Sequence, residues 1–450
     1  MAISLGTMPP ATRDLWERLN RTSPTYLVGG AVRDLLRGTD PHDWDLATAV
    51  TPDNLDAWAT ARGIRVLPTG KAYGTMTLQA GREEWVQVTT FRQDGRYADG
   101  RRPQTVTFAE HIEEDLARRD FTMNAMALTV DGTLIDPYGG RLDLQSGLVR
   151  AVGNPSERFN EDPLRMWRAV RFLGVAGLTT LEPVTKEAIY RHRARLIVIS
   201  MERQREELWR LLHLPHTTRA LEAANDLGLL SLLWPEWAAT VHFDQRNPHH
   251  RYPLHQHLLT AACLGDTPIL RLTGLLHDIA KPQTLTITDG IGHFYDHADV
   301  GAVFVRHMLE RTKFDRATID HVATLVEWHM FPWDDAGPKA LRRALRTLGP
   351  SLVNDLLALR RMDTLATGMG DWTGEADTRA RIAAVIEETP QGPRLAISGR
   401  DVMAWTGMGA GQQIGAILRQ VQDWVDEEPT RNERATLAAF VQAMKKGGSQ

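Results

Sequence analysis

Two aspartates one residue apart, Asp43 and Asp45, are the first candidates for chemistry in this chain. Alternate residues of a strand point to the same face, so a strand here would place their carboxylates side by side. Two like charges that close are costly unless a cation lies between them, and Mg²⁺ binds carboxylates together with substrate phosphates. The pair therefore predicts a magnesium site, and a solvated acidic turn is the alternative.

Gly29 and Gly30 precede this pair, between an apolar strand pattern at 26–28 and a helical pattern at 31–36. Glycines between a strand and a helix let backbone N–H groups approach a phosphate, and the helix dipole favours an anion there. Arg33 lies one turn into the helix and would reach a triphosphate oxygen. A tight turn without a ligand is the alternative.

The elements around these residues are predicted to be of two kinds. Residues 24–150 read as mixed α/β, with a hairpin formed by 75–78 and 85–91 and a loop over 91–102. From about residue 156 the pattern is helical, most clearly at 161–173 and 200–212. We predict four parts, listed by residue number: a mixed α/β part at 1–150, a helical part at 151–245, a histidine-rich part at 246–370, and a helical C-terminal part at 371–450.

Composition narrows the class of protein. The chain has 450 residues, 42% of them hydrophobic and 24% charged, which is ordinary for a globular protein. A single cysteine, Cys263, indicates a reducing compartment, and we expect the cytoplasm, with no membrane contact. The net charge of −4 argues against a general nucleic-acid binder, but residues 150–219 carry 13 basic and 8 acidic side chains, a local charge of +5 that suits RNA.

Several ordered motifs resemble one family. The spacing Gly-Gly-x-x-Arg-Asp-x8-Asp-x-Asp at 29–45 is followed by Arg-Arg-Asp-Phe-Thr-Met-Asn-Ala at 118–125, Glu-Asp-Pro-Leu-Arg at 161–165, and Glu202-Arg203 with Glu206. Together they resemble the tRNA nucleotidyltransferases, or CCA-adding enzymes, of the bacterial and eukaryotic type. The resemblance is dense over residues 20–215. It implies an α+β fold in which a polymerase-β-like head precedes an all-helical neck, an HD domain and a tail.

The resemblance also implies a role for each motif residue. Asp43 and Asp45 would hold the catalytic Mg²⁺, and Asp120 would contact the ribose. The residues implied for the triphosphate are Gly30, Arg33 and Arg119. One departure is Gln87, which stands where many members carry a glutamate, so only two carboxylates are expected at the metal.

Asp162 and Arg165 are three residues apart, which on a helix would place them on neighbouring turns. A carboxylate accepts and a guanidinium donates, so the pair complements the amine and ring nitrogen shared by cytosine and adenine. Uracil and guanine would leave acceptors unpaired, at about 1–3 kcal/mol each. Arg168 and Arg171 fall outside this face and are expected to meet phosphate or brace the neighbouring helix; a surface helix with charge pairs is the alternative.

Eleven of the 16 histidines lie between His242 and His329. The run 277–282, His-Asp-Ile-Ala-Lys-Pro, resembles the HD superfamily of metal-dependent phosphohydrolases, whose imidazole and carboxylate groups suit a divalent transition metal or Mg²⁺. The candidate ligands are His257, His277, Asp278 and His297. His255 is an alternative to His257, and the further candidates are His293 and His329. A structural module that keeps the motif without metal is the alternative.

The expected activity is addition of C and A from CTP and ATP to the 3′ end of tRNA, with release of pyrophosphate. The loop at 94–103 bears on specificity, because family members that stop after two cytidines lack most of it, so its presence implies that the terminal A is added. Three other activities stay open. They are addition of A alone after a separate CC-adding enzyme, poly(A) synthesis, and phosphohydrolysis of RNA ends by the HD domain.

Overall fold

A computed structural model describes residues 3–95, 105–388 and 395–447. These residues divide into two units, each with its own core. One comprises Met1–Ala239 and Met308–Phe314, and the other comprises Thr240–His307 and Asp315–Gln450. Within the described residues, no helix is long and apolar enough to cross a lipid bilayer.

The first unit is built on a mixed sheet. The strands of this unit are β1 Thr25–Val28, β2 Leu46–Thr48, β3 Val66–Gly70, β4 Thr75–Gln79, β5 Trp85–Thr90, β6 Arg92–Asp94, β7 Val106–Phe108, β8 Ala127–Leu128, β9 Leu134–Ile135, β10 Leu148–Val149 and β11 Thr180–Leu181. Seven of them form one sheet in the order β3-β4-β5-β2-β1-β8-β9, in which β2 and β5 run parallel. The predicted hairpin is confirmed, since β4 and β5 pair antiparallel from Thr75 opposite Thr89 to Gln79 opposite Trp85.

Helices cover this sheet and continue into the neck. They are α1 Pro10–Asn20, α2 Gly30–Leu36, α3 Pro52–Thr60, α4 Ile112–Ala117, α5 Gly140–Gln145, α6 Pro155–Glu161, α7 Leu164–Phe172, α8 Pro183–His192, α9 Met201–Leu212, α10 Thr218–Asp226 and α11 Leu229–Leu233. One core cluster joins strand residues Val28 and Ala47 to Leu116 of α4, all fully or almost fully buried. The predicted α+β class is therefore confirmed.

The strand that would have placed Asp43 and Asp45 side by side begins only at Leu46, after both of them. Only Leu46–Thr48, whose side chains are all buried, form β2, while Asp43 and Asp45 precede it in irregular backbone. A central strand is covered on both faces, and unpaired carboxylates would be costly there. The two aspartates therefore lie at the strand entrance, and strand alternation is not what brings them together.

The predicted helix 161–173 is interrupted. Asp162 has extended backbone, with φ −137° and ψ 99°, between the end of α6 and the start of α7. The cause is Pro163, because proline disfavours the helical conformation of the residue before it. Asp162 and Arg165 therefore do not share a continuous helix, whereas the predicted helix 200–212 is present as α9.

The expected loop 91–102 contains strand β6, which pairs with β7 from Arg92 opposite Phe108 to Asp94 opposite Val106. Residues 96–104 lie outside the described residues. The prediction that the loop at 94–103 permits addition of A therefore stays a prediction.

The second unit is mainly helical. Its elements are α12 Leu254–Leu264, α13 Pro268–Leu276, α14 Lys281–Thr284, β12 Leu285–Thr288, β13 Ile291–Phe294, α15 His297–Arg311, α16 Arg316–Trp328, α17 Pro338–Ala366, α18 Glu375–Glu387, α19 Gly399–Thr406, α20 Gln412–Glu427 and α21 Arg434–Gly447. Helix α17 bends at Gly349-Pro350 and packs against α12, α13 and α16. This packing brings side chains far apart in sequence to one point.

Candidate nucleotide and metal sites

One cavity of about 930 Å³ in the first unit collects the nucleotide candidates. The ten residues selected from the sequence for metal or nucleotide binding all line it: Gly30, Arg33, Asp43, Asp45, Arg119, Asp120, Asp162, Arg165, Arg168 and Arg171. The other lining residues include Gln87, Arg118, Asn124, Phe172, Arg203 and Arg210. Residues from the sheet, from α2 and from neck helices α7 and α9 therefore face one space.

The two carboxylates fit a divalent cation. Burial raises the pKa of Asp45 above its ordinary value, Arg119 opposes this shift, and the nearby carboxylate of Asp43 adds to it. A cation between the two carboxylates would remove the cost of ionising both. In the parallel pairing of β2 and β5, Leu46 is opposite Val88, which places Gln87 beside Asp45. The structure therefore offers two carboxylates and one amide at the start of β2, next to β5.

The strand-to-helix turn fixes two arginines at the cavity wall. Gly29 has φ 73°, a conformation that favours glycine, and a Cβ there would lie 2.9 Å from Nη1 of Arg119. Arg33 donates to both oxygens of Asp34, at 2.9 and 3.1 Å, and to Asn124 Oδ1 at 3.0 Å. Its guanidinium is therefore held in place by the protein.

Asp120 is engaged by protein groups. Its Oδ2 accepts from Nε of Arg168 at 2.9 Å, and its Oδ1 accepts from Asn124 Nδ2 at 3.1 Å and from the Phe121 amide at 2.8 Å. Burial acts to raise the pKa of Asp120, but Arg168, the hydrogen bond from Asn124 and the charge of Arg165 together keep the pKa well below its usual range. A ribose hydroxyl at this carboxylate would have to share or displace these bonds.

Asp162 and Arg165 line the same cavity without contacting each other through an ion pair. Oδ2 of Asp162 accepts from Nη2 of Arg203 at 3.2 Å. Arg165 is 9% exposed and donates to Glu161 at 2.9 Å and to the carbonyl of Arg118 at 3.0 Å. In this conformation, the guanidinium next to Asp162 is therefore that of Arg203. The guanidinium of Arg165 is instead bound to the side chain of Glu161 and the backbone carbonyl of Arg118.

Glu207 of α9 braces Arg171 of α7, whereas the neighbouring motif residue Glu206 does not. Glu207 is 4% exposed and accepts from Nε of Arg171 at 2.6 Å, whereas Glu206 is exposed and pairs with Arg210. The helical periodicity of the sequence could have predicted this, because Glu207 lies on the same buried face of α9 as Gln204, Leu208 and Leu211.

The second unit contains two overlapping groups of ligand atoms. His257, His277, Asp278 and Asp363 each offer one atom within 4.8 Å of the others, and so do Asp278, His297 and His329. Nε2 of His257 lies 3.2 Å from Nε2 of His277 and 3.2 Å from Oδ1 of Asp363. We call these six residues the HD cluster.

The histidines of the HD cluster are oriented as metal ligands are. The Nδ1 atoms of His277, His297 and His329 lie 3.0, 2.6 and 2.6 Å from backbone carbonyl oxygens. A proton on Nδ1 leaves a lone pair on Nε2, the atom directed at the carboxylates. Asp278 Oδ1 is buried without a hydrogen-bond partner in the described chain, although Nε2 of His297 lies 3.2 Å away. The donor set therefore fits divalent cations.

The four selected residues His257, His277, Asp278 and His297 all belong to the HD cluster, and so does His329. His255 and His293 do not: His255 accepts from the His242 amide, and His293 stacks on Tyr295. Sequence reasoning missed Asp363, which lies 85 residues beyond Asp278 on α17 and has no neighbouring motif.

Comparison with known proteins identifies the family of this chain. Three family models match: the poly(A) polymerase head domain at residues 25–150, the probable RNA- and SrmB-binding site of polymerase A at 180–240, and the HD domain at 256–386. The A-adding tRNA nucleotidyltransferase of Deinococcus radiodurans is 35% identical over 419 residues, which cover 88% of this chain and 90% of the relative. The chain belongs to the tRNA nucleotidyltransferase family.

A second member of the family, the CCA-adding enzyme of Geobacillus kaustophilus, is 32% identical over 428 residues, 92% of each chain. Among solved structures, the Bacillus stearothermophilus CCA-adding enzyme in complex with CTP matches with a TM-score of 0.69 and 27% identity over 98% of this chain and 99% of that one. The Thermotoga maritima CCA-adding enzyme in complex with tRNA matches in fold, with a TM-score of 0.60 and 20% identity over 99% and 98%. This chain is thus a tRNA nucleotidyltransferase with an HD domain.

Proposed function

We propose that this tRNA nucleotidyltransferase adds C and A from CTP and ATP to the 3′ end of tRNA, completing CCA without a template. The observation that carries the proposal is the single cavity in which the carboxylate pair, the arginines and Asp162 meet. A large polar cavity rich in guanidinium groups suits a nucleoside triphosphate and an RNA end. With tRNA as substrate, the enzyme would act in the cytoplasm, as the single cysteine also indicates.

Asp43 and Asp45 would hold Mg²⁺, which when bound supplies positive charge against the negative charge that develops on the phosphates. Gly30, Arg33 and Arg119 would bind the triphosphate, and Asp120 the ribose. Arg168 and Arg171 would act indirectly, because Arg168 binds the carboxylate of Asp120 and Arg171 binds that of Glu207. The 3′-hydroxyl of the tRNA would attack the α-phosphate in line, and pyrophosphate would leave.

Base selection would rest on Asp162 with Arg165. Because Arg165 now donates to Glu161 and the Arg118 carbonyl, reading a base requires it to leave at least one of these partners. Arg203 already donates to Asp162 and would keep that carboxylate oriented. The proposal therefore includes a small rearrangement of Arg165 when a nucleotide binds.

The four-part division of the chain is part of the proposal: head at 1–150, neck at 151–245, HD domain at 246–370 and tail at 371–450. The family-model matches at 25–150, 180–240 and 256–386 support the first three parts. The tail and the basic neck would bind tRNA.

The test is nucleotide incorporation by the purified chain into tRNA lacking CCA and tRNA ending in CC, with CTP and ATP supplied separately and together. CCA addition predicts C on the first substrate, A on the second, and a product that stops at CCA. Addition of A alone, as the Deinococcus radiodurans relative suggests, would overturn CCA addition. Long A tracts would indicate poly(A) synthesis, and no incorporation into either tRNA would refute the transferase proposal.

The HD cluster supports a second function, a divalent-metal phosphohydrolase acting on phosphorylated RNA ends. Bound cations would be held by His257, His277, Asp278 and Asp363, and by Asp278 with His297 and His329. Lys281, whose Nζ lies 2.6 Å from Asp278 Oδ2, would balance the carboxylate charge. Hydrolysis of 2′,3′-cyclic nucleotides to the nucleoside monophosphate, dependent on added metal and lost in His277→Ala, is the expected result. Absence of hydrolysis in the parent with every divalent metal tried would leave the cluster structural.

A further inference from the structure

Asp115 is a buried acid that no motif of the nucleotide site includes. It lies near the end of α4, its side chain is fully buried, and it does not line the cavity. Its two oxygens nevertheless bind two guanidinium groups that do, those of Arg118 and Arg119. A buried carboxylate that binds two arginines of the cavity is suited to holding both of them in position.

The geometry divides the two oxygens of Asp115 between the arginines. Oδ1 accepts from Arg118 Nε at 3.0 Å and Nη2 at 2.6 Å, and Oδ2 accepts from Arg119 Nε at 3.3 Å and Nη2 at 3.0 Å. Burial acts to raise the pKa of Asp115, but the two arginines together hold it below its ordinary value, so the carboxylate is ionised. Each arginine is thus held by one edge of its guanidinium.

We propose that Asp115 is a positioning residue that presents Arg118 and Arg119 as a fixed pair to the phosphates of the incoming nucleotide. The inference rests on the proposed function, in which Arg119 binds the triphosphate. Adjacent arginines at a helix end repel each other and have many rotamers, so a shared carboxylate both offsets the repulsion and removes that freedom before a nucleotide arrives. The neighbouring backbone completes the arrangement, because Arg119 also lies against Gly29.

Asp115→Asn is the sharpest change, because it keeps the size of the side chain. An amide has one acceptor and one donor, so it would accept from one arginine and direct its NH₂ at the other. We expect ATP affinity, measured by titration without tRNA, to fall by about 10- to 100-fold, the range for loss of hydrogen bonds to charged groups. The KM for ATP should rise while the KM for tRNA changes by less than about twofold.

Asp143→Asn is the matched control. Asp143 is also a buried acid of the first unit that binds an arginine, Arg150, at 3.0 Å, but neither residue lines the cavity. Both variants should lower the melting temperature, and only Asp115→Asn should weaken ATP binding. Equal loss of ATP affinity in both would overturn the positioning role.

A double-mutant cycle decides whether Asp115 acts through Arg119. In an Arg119→Ala background, Asp115→Asn should cost much less ATP affinity than in the parent, because one of its two partners is gone. A loss of the same size in both backgrounds would overturn the inference. If Asp115→Asn does not fold, Asp115→Glu replaces it: the charge stays, the added methylene displaces both arginines, and ATP affinity should fall several-fold at nearly parental stability. Parental ATP affinity in folded Asp115→Glu would also overturn it.

The two proposals fail separately. ATP binding is measured without transfer, so a parent that binds ATP with the Asp115 dependence described, yet incorporates nothing into tRNA, would refute the transferase proposal and keep the positioning role. If the parent adds CCA while folded Asp115→Asn binds ATP normally, the transferase proposal is kept and the positioning role of Asp115 is refuted.

Discussion

The nucleotide cavity and the HD cluster use similar acids in opposite ways. Eight arginines and four aspartates line the cavity, listed here by type: Arg33, Arg118, Arg119, Arg165, Arg168, Arg171, Arg203 and Arg210, with Asp43, Asp45, Asp120 and Asp162. The HD cluster has four histidines around two aspartates, with ligand atoms within 4.8 Å in each group. The cavity is large and lined mainly by cationic side chains. The HD cluster is largely buried, and the space between its ligand atoms is close to the size of an ion.

The difference indicates what each region can bind. In the cavity, Asp120 is already bound to Arg168 and Asp162 to Arg203, while the described structure has no ion pair on Asp43 or Asp45. The protein thus neutralises its own acids except the two at the strand entrance, where a cation and a polyanion can enter together. In the HD cluster, the Nε2 atoms of the imidazoles face the carboxylates, so the protein itself supplies most of the ligands of a cation.

Asp45→Asn is expected to have the largest effect. Removing one of two carboxylates that would bind Mg²⁺ should lower incorporation by at least about 1,000-fold, with RNA binding within about twofold of the parent. Incorporation is measured on tRNA ending in CC, and metal content of the HD cluster by elemental analysis should not change. Asp40→Asn, an exposed acid nearby, is the control and should retain activity. Near-parental activity in Asp45→Asn would remove the metal assignment.

Asp278→Asn tests the other side of the comparison. Asp278 belongs to both ligand groups, so its loss should weaken divalent metal binding by about 100-fold or more, measured by calorimetric titration of the metal-free chain. Incorporation at saturating Mg²⁺ should stay within about twofold. Asp355→Asn is a control, since Asp355 pairs with His321 outside the cluster. Metal affinity that survives in Asp278→Asn would mean that the cluster is not the binding site.

Asp162→Ala should change the choice of nucleotide more than the rate. Loss of the acceptor removes the penalty on bases that present an oxygen, so discrimination of CTP and ATP against UTP and GTP should fall by about 10- to 100-fold. The measurement is kcat/KM for each nucleotide on the same tRNA. Arg203→Lys should preserve the preference in part, because it keeps a charge beside Asp162. Unchanged discrimination in Asp162→Ala would place base selection elsewhere.

Glu207→Gln should have the smallest effect, since it acts on Arg171 from behind the cavity. Replacing one partner of a buried ion pair should lower the free energy of unfolding by about 1–3 kcal/mol and incorporation by a few-fold. Glu206→Gln, on the exposed side of the same helix, should change stability by less than about 0.5 kcal/mol. Equal destabilisation in chemical denaturation would show that Glu207 is not the bracing residue.

Much of the chemistry could be read from short motifs. The ten cavity residues that the sequence marked lie in three short segments, 29–45, 118–125 and 161–171, although other residues also line the cavity. Local spacing did not predict which side chains of the motifs contact one another. Proline at 163 breaks the helix, so Asp162 faces Arg203 on α9 instead of continuing the turn that holds Arg165.

The sequence by itself determined the fold class, the family, and which residue types gather for chemistry, because periodicity, glycine turns and motif spacing are local properties. Tertiary structure alone decided two of the partners: Asp363 joins the HD cluster only because α17 packs on α12, and Glu207 meets Arg171 only because α9 packs on α7. Asp115 is three and four residues from its arginines, so local spacing allowed that contact, and the tertiary structure decided its burial. The physical reason is that burial and charge pairing depend on distance in space. Sequence separation does not report that distance for residues outside a common motif.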